Sequence, residues 1–496
     1  MDGHDTPEGL LARFVKLREA RDRWAPLWRD CYDHALPLRA DFSPSPPGAR
    51  RGEMLYDGTA PDAVDRLAAS LLAELTPPWS GWVGFVAGPD LGPEDRAAAA
   101  PALERMTEIL AGHLDRSNFA VEIHQAYLDL VVGGTGSLLV EETASGERSA
   151  LRFSAIPLSE IVLEEGPEGR LDSSWRRTPM TAAAFARRFP AATLPPGLAA
   201  EAMRDPDARF PVLETVRPAP GGGYRRTLVL DAGTEGPAML EDGWAATSPY
   251  LHFRWLKAPG EIYGRSPVMK ALPDIRTANK VVELVLKNAT IAVTGIWQAD
   301  DDGVLNPATV ALKPGTIIPK AVGSAGLTPL KPPGQFDVSQ LVLEDLRARI
   351  RHALLADQLA QVDAPRMTAT EVLERAEAMT RLLGATYGRL QAELLTPLVH
   401  RCLSILRRRG EIPDLAADGR TVEIQFRSPL AQAQAQRDAR STLLWVEALA
   451  ALGPEATAVA DMAEAARWLG RRFGVPPKLV RETPPAADSI LPSIQP

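Results

Sequence analysis

Cysteine is nearly missing from this chain: Cys31 and Cys402 are the only two in 496 residues, far apart and without a CxxC pair. That excludes a disulfide framework and a thiolate metal site, and it fits a reducing birthplace. Long hydrophobic runs are missing too. No segment reaches the roughly 18 apolar residues needed to cross a bilayer, and the N-terminus, MDGHDTPEGLLARF, has no apolar stretch behind a basic head. Neither a secreted nor a membrane-spanning chain is expected. Positive charge is also short, since 55 Lys and Arg against 63 Asp and Glu give a formal net charge of −8. Tight duplex binding needs clustered cations that release phosphate counterions, so any contact with DNA is expected to be weak.

Signatures of common catalysis are absent. The seven histidines form no HExxH and no close pair, and there is no GxSxG elbow, which removes support for metal hydrolysis and for a serine nucleophile. Gly133-Gly134-Thr135-Gly136-Ser137 invites a phosphate-loop reading. It runs from helix into strand, however, whereas a phosphate-cradling loop runs from strand into a helix N-terminus and carries a Lys. No cofactor, metal or catalytic residue is expected.

What is present describes a globular chain of several packed regions, with 45% hydrophobic and 24% charged residues. Leu10, Phe14, Leu17, Trp24, Trp28 and Cys31 recur at helical spacing and predict one long amphipathic helix over about 8–36. A second helix opens at Thr59, its expected cap, with Pro61 in the first turn and Val64, Leu67, Leu71, Leu72 and Leu75 as its buried face. A turn carrying Trp79 and Trp82 leads to a short strand over 83–87 and to helices over 93–115 and 118–132. The indoles could anchor a partner, but burial in their own subunit is the favoured reading.

From 137 to about 255 the sequence predicts a β-rich insert, interrupted by a small helix near 181–188. Helical spacing returns after Gly264 and again over about 338–359, with an irregular stretch between. Thr368 with Glu371 three residues on forms a capping box. The helix it opens, about 40 residues long, makes a rod of roughly 60 Å, and Pro397 should kink it. A strand over 421–426 and helices near 432–449 and 457–473 complete an α+β, mainly helical chain.

Two slender helices enclosing an irregular module, followed by a loop and a very long helix, resemble the portal (head-to-tail connector) proteins of short-tailed bacteriophages. Wording strengthens the resemblance. Leu55-Tyr-Asp-Gly-Thr-Ala-Pro61, with the run Leu67 to Trp82 behind it, is similar to that family's N-terminal signature. Glu261-Ile-Tyr-Gly-Arg-Ser-Pro267 is similar to its lead-in to the first stem helix, and Thr368-Ala-Thr-Glu-Val372 to the start of its long helix. The similarity covers roughly Leu10 to Phe426, with the motifs in order.

The resemblance implies a dodecameric ring at one capsid vertex of the virion, assembled in the host bacterial cytoplasm and threaded by duplex DNA. Its implied partners are the terminase large subunit, tail adaptor proteins, and the major capsid and scaffolding proteins, with no membrane. The regions implied are a wing over 1–263, a first stem helix over 264–292, a clip over 293–337 and a second stem helix over 338–359. A tunnel loop over 360–367, a long wing helix with its closing strand over 368–428, and a crown with a Pro-rich tail over 429–496 follow.

Within that frame Lys280, Lys287, Arg347, Arg349 and Arg351 are candidates to face DNA or bridge subunits; the alternative is solvated charge or local salt bridging. Arg366, in the loop 361–366, is the natural residue to meet phosphate, unless that loop is a plain connector. Asp300, Asp301 and Asp302 lack the alternating spacing and closing Glu of a calcium loop. They read as a solvated clip turn that, with Lys313 and Lys320, is available to the motor or adaptor. The rival functions are a non-channel capsid scaffold or adaptor, and a DNA-packaging enzyme, which the missing phosphate loop disfavours.

Overall fold

The computed structural model describes residues 5–39, 42, 51–190, 194–233, 236–294, 297–298, 328–329, 336–357, 384, 386–413, 417–453, 456 and 459–472. Helix and strand are mixed throughout. The N-terminal helical stretch is two helices, α1 (Pro7–Asp22) and α2 (Ala25–Ala35), where the sequence predicts one. The break follows from Pro26, which has no N–H to donate to the Asp22 carbonyl and whose ring would crowd it. Thr6 caps α1, its hydroxyl accepting from the Gly9 N–H at 3.2 Å.

Helix α3 (Thr59–Leu75) opens where expected, but the cap differs. Gly58 takes the N-cap position, so no side chain caps the helix there, and Asp57 Oδ1 accepts the Thr59 N–H at 3.0 Å. Strand β1 (Val83–Ala87), α4 (Pro93–Arg116) and α5 (Phe119–Gly133) match the sequence reading closely. Trp82 is buried and stacks near Phe119, whereas Trp79 is 71% exposed. The expectation that both indoles bury holds for one alone.

Gly134 ends α5 in the left-handed region at φ 80° and turns the chain into β2 (Thr135–Glu142). Around β2 lie β3 (Leu151–Ala155) and, from much later in the chain, β9 (Tyr250–Arg254), in an antiparallel sheet of order β3-β2-β9. Between these two come β4 (Ile161–Glu165), β5 (Leu171–Thr181), β6 (Arg209–Pro218), β7 (Tyr224–Leu230) and β8 (Ala238–Ala245), a five-stranded antiparallel meander. Helices α6 (Ala182–Arg188) and α7 (Pro196–Arg204) link β5 to β6 over a small core of Phe185, Phe189, Phe210 and Leu230. The sequence reading lacks α7, whose Pro-Pro-Gly start reads as loop although proline is at home in a first helical turn.

The second half begins with α8 (Pro267–Thr294) and α9 (Phe336–Ala353). Two-residue strands β10 (Trp297–Gln298) and β11 (Thr328–Pro329) pair between them. Helix α9 stops earlier than the predicted 359. Ala356 N–H donates to the Arg351 carbonyl at 2.8 Å and Leu355 N–H to that of His352 at 3.1 Å, a Schellman closure. Leu355 occupies the left-handed position at φ 59°, usually a glycine's, and is the non-glycine residue with positive φ among those described.

The predicted long helix lies outside the described residues over most of its first half. From 386 it is helical, then passes through a π-helical turn (Gln391–Leu395) into α10 (Thr396–Arg408). Pro397 cannot donate to the Glu393 carbonyl, and the wider turn takes up the mismatch at the site of the predicted kink. Strand β12 (Val422–Phe426) returns to pair antiparallel with β1, Val83 opposite Phe426. Helices α11 (Pro429–Leu452) and α12 (Met462–Arg472) follow. One large core joins α2, α3, α5, the β2 sheet, the root of α8, the end of α9 and α10.

Both cysteines are buried in that core, and desolvation of the thiolate pushes each thiol up to about 12. The folded chain should therefore fail to react with Ellman's reagent at neutral pH, and denaturant should release two thiols. Rapid labelling of the folded chain would show that one of these packing sites opens readily.

Candidate functional site

Helices α8 and α9 pack on each other, and both change character along their length. At the body end Val268, Ala271, Ile275 and Ala278 of α8, Leu346 and Ile350 of α9, and Leu354 just past its end are buried. Toward the other end Leu284 is 54% exposed, Leu286 51% and Leu341 71%. A helix pair of one subunit with apolar residues on its outward faces is only half covered.

The root of the pair is held by a segment that the sequence marks. Asn279 Oδ1 accepts from the backbone N–H of Tyr56 (2.6 Å) and Asp57 (3.1 Å), and its amide donates to the Met54 carbonyl at 2.9 Å. On α9, Arg347 donates to Asp57 Oδ2 at 2.8 Å. Burial alone would raise the Asp57 carboxyl, but hydrogen bonds from Thr59 and Arg347 outweigh it and hold the group below its usual range. One stretch, Met54 to Asp57, thus ties both helices to the body.

The lead-in to α8 crosses the end of α5 at van der Waals limits. A Cβ on Gly264 would sit 2.1 Å from the Gly134 carbonyl oxygen, and one on Gly134 would sit 2.3 Å from that of Gly264. Gly264 N–H donates to Thr135 Oγ1 at 2.9 Å, and the Ser266 hydroxyl donates to the Val132 carbonyl at 2.8 Å while accepting the Met269 N–H. The glycine run after α5 permits this close backbone crossing.

Beside the crossing lies a buried charge network. Arg254, at the end of β9 and 1% exposed, donates to Glu393 at 2.7 Å, to Glu165 at 3.3 Å, and to the carbonyls of Gly169 and Ile262. Glu393 also accepts the Arg254 N–H at 2.9 Å. The π-helical turn carries this carboxylate, so the network links the stem of the long helix to the root of α8. Trp24, Trp28 and Tyr263 pack at its flank, with the Arg265 guanidinium 4.5 Å from the Trp24 ring centroid.

The predicted cations are spread along the pair and do not converge. Lys280 and Lys287 are exposed, and both reach Glu283, at 2.8 and 2.6 Å. Arg349 pairs with Asp345 at 2.9 Å on an exposed face, Arg351 is exposed, and Arg347 is engaged with Asp57. Asp300, Asp301, Asp302, Lys313, Lys320, Arg366 and the loop 361–366 lie outside the described residues. Sequence reasoning missed Asp57, Asn279, Glu283, Arg254 and Glu393. Only Glu283 left a local signal, the Lys-x-x-Glu-x-x-x-Lys spacing that puts three charges on one helical face.

The sequence profile of the family described as "Bacteriophage head to tail connecting protein" matches residues 8–480. The chain belongs to that family. Among curated relatives of this connector, the "Probable portal protein" of Bordetella phage BPP-1 is 26% identical, over 95% of this chain and 88% of its own. The "Portal protein" of Salmonella phage epsilon15 is 24% identical over the same shares. A chain from the solved "Virion of native gene transfer agent (GTA) particle" overlaps more loosely, at 12% identity and a TM-score of 0.37, over 84% of this chain and 92% of that one.

One further group in the connector's body looks chemical and is structural. His252 lies between the hydroxyls of Ser137 (2.9 Å) and Ser174 (2.6 Å), pinning the β2 sheet to the meander. Desolvation, with help from the nearby Arg254 charge, pushes the imidazole down to about 3, too weak a base to activate either serine near neutrality. Below about 6.5 the unfolded chain takes up a proton here that the folded chain refuses. Stability tied to His252 is therefore complete above about 6.5 and lost as pH falls toward about 3, by up to about 1.4 kcal/mol per pH unit. The His252→Gln variant should flatten the pH dependence of the urea midpoint across that window; an unchanged slope would mean other groups dominate it.

Proposed function

We propose that this connector is a portal subunit: copies close into a dodecameric ring at a capsid vertex, and duplex DNA passes through the centre, inward at packaging and outward at ejection. The observation that carries the reading is the α8–α9 pair, firmly rooted in the body yet apolar on outward faces over its far half. Heterologous contacts with two neighbours in a closed ring would cover those faces. In this reading residues 1–263 form the wing, α8 and α9 the stem (264–292 and 338–359), 293–337 the clip, and 360–367 the tunnel loop. The long helix and closing strand (368–428) complete the wing, and 429–496 form the crown and tail.

The connector acts mechanically, and no catalytic step is assigned to it. A terminase motor docks on the ring during packaging, tail adaptor proteins replace it afterwards, and the major capsid and scaffolding proteins surround it. Assembly takes place in the host cytoplasm. The acidic balance of the chain keeps passing DNA from adhering. Negative-stain electron microscopy with native mass spectrometry tests the reading: a holed ring of about a dozen subunits is expected. A stable monomer or dimer at high concentration would overturn it, and a holeless assembly would favour a capsid scaffold.

A further inference from the structure

The lysines of α8 stand in an arrangement that surface pairing does not require. Lys280, Glu283 and Lys287 are spaced three and four apart, so they share one face across about two helical turns, roughly 10 Å. Each lysine takes a different oxygen of the same carboxylate, Lys280 Nζ to Glu283 Oε2 at 2.8 Å and Lys287 Nζ to Oε1 at 2.6 Å. Glu283 is 8% exposed, while the lysine side chains are 60% and 64% exposed. The carboxylate is thus sunk beneath two ammonium groups that reach back over it.

We propose that Glu283 masks Lys280 and Lys287, so that this face of the stem offers passing DNA a net charge of one and no unengaged ammonium group. The inference rests on the portal reading, which puts α8 in the channel wall. Hydrogen bonds from both lysines hold the Glu283 carboxyl below its ordinary range, and Glu283 in turn raises the Lys287 ammonium. Exposed helical ion pairs contribute little to stability. What this one changes is what a phosphate meets. To bind either lysine, phosphate must first displace a carboxylate that already satisfies it, and duplex DNA slides past without being gripped.

The test is the salt dependence of duplex binding by purified full-length rings, read by fluorescence anisotropy with a labelled linear duplex over a KCl series. The E283Q variant removes the mask and keeps the shape. Each new phosphate contact steepens the slope of log K against log salt by about 0.9, so two lysines unmasked in one engaged subunit add roughly 2. A fourfold drop in salt should then strengthen E283Q binding roughly tenfold more than it strengthens binding by the unaltered chain. Restoring the original slope in E283Q/K280Q/K287Q would assign the gain to these lysines. Equal slopes for E283Q and the unaltered chain, both as rings, would overturn masking and leave the portal reading intact.

Should E283Q fail to assemble, K280Q/K287Q decides the matter in the unaltered background. Masked lysines can be removed with little change in slope, whereas a fall of roughly 2 would mean that they grip DNA already. If the unaltered chain forms no ring in native mass spectrometry, the portal reading fails and masking fails with it.

Discussion

Replacing Gly134 with alanine is expected to destabilise the chain by roughly 2 to 6 kcal/mol, and with it the assembly that depends on the root of α8. Left-handed strain on a non-glycine residue accounts for roughly 1 to 3 kcal/mol of that, and forced repacking for a similar amount. The two add here because the residue sits at φ 80° and its new Cβ would meet the Gly264 carbonyl, a backbone group that no rotamer change can move aside. Gly146 supplies the control. It too has positive φ, 97°, but nothing lies within 4 Å of its Cβ position, so Gly146→Ala should show the strain alone. Urea midpoints of the two variants measure the difference. If Gly134→Ala costs no more than Gly146→Ala, the α5 end and the α8 lead-in are not in close contact, and the account of the glycine run is wrong.

Truncating Arg254 to alanine should cost up to about 3 to 5 kcal/mol, most of it at Glu393, which is left with Arg389 at 3.3 Å, whereas Glu165 keeps Lys257. Glu393 and Glu165 are 16% and 18% exposed, so neither is well rehydrated when the partner is lost. The ion pair itself is not thereby shown to be stabilising. Converting Arg254 and Glu393 together to methionine and leucine should recover much of the loss, since an apolar pair of similar volume avoids the desolvation of both ions. A double-mutant cycle on the urea midpoint reads this directly. Additive effects would mean that the two residues act independently, and that the π-helical turn is not anchored through them.

The sequence disclosed local structure well and long-range contacts poorly. Strand β1 and helices α4 and α5 were readable because periodicity and end signals are carried by neighbouring residues, and the Leu55-to-Pro61 and Glu261-to-Pro267 wording pointed to the family. The break between α1 and α2 was legible in Pro26 but was overridden by an apolar pattern that runs through it. Arg347 looked like a channel cation because its partner, Asp57, lies 290 positions away, and no spacing rule spans such a distance. For the same reason the glycine run could be denied a phosphate role from its helix-to-strand direction, while its true neighbour, Gly264, could not be named. Glu283 was within reach of spacing alone; that each lysine takes a different oxygen of its carboxylate is a matter of side-chain geometry, which spacing does not give.

The pairing of β1 with β12 orders events in time. Val83 leaves the ribosome about 340 residues before Phe426, the residue it faces in the sheet, and at 5 to 20 residues per second that interval is roughly 17 to 70 s. Throughout it β1 has an open edge, its hydrogen-bonding groups waiting for a strand not yet synthesised. The body cannot close until nearly the whole chain has emerged, so subunits reach one another as finished products of translation. A chain terminated before residue 422 would leave that edge permanently open, a nucleus for aggregation.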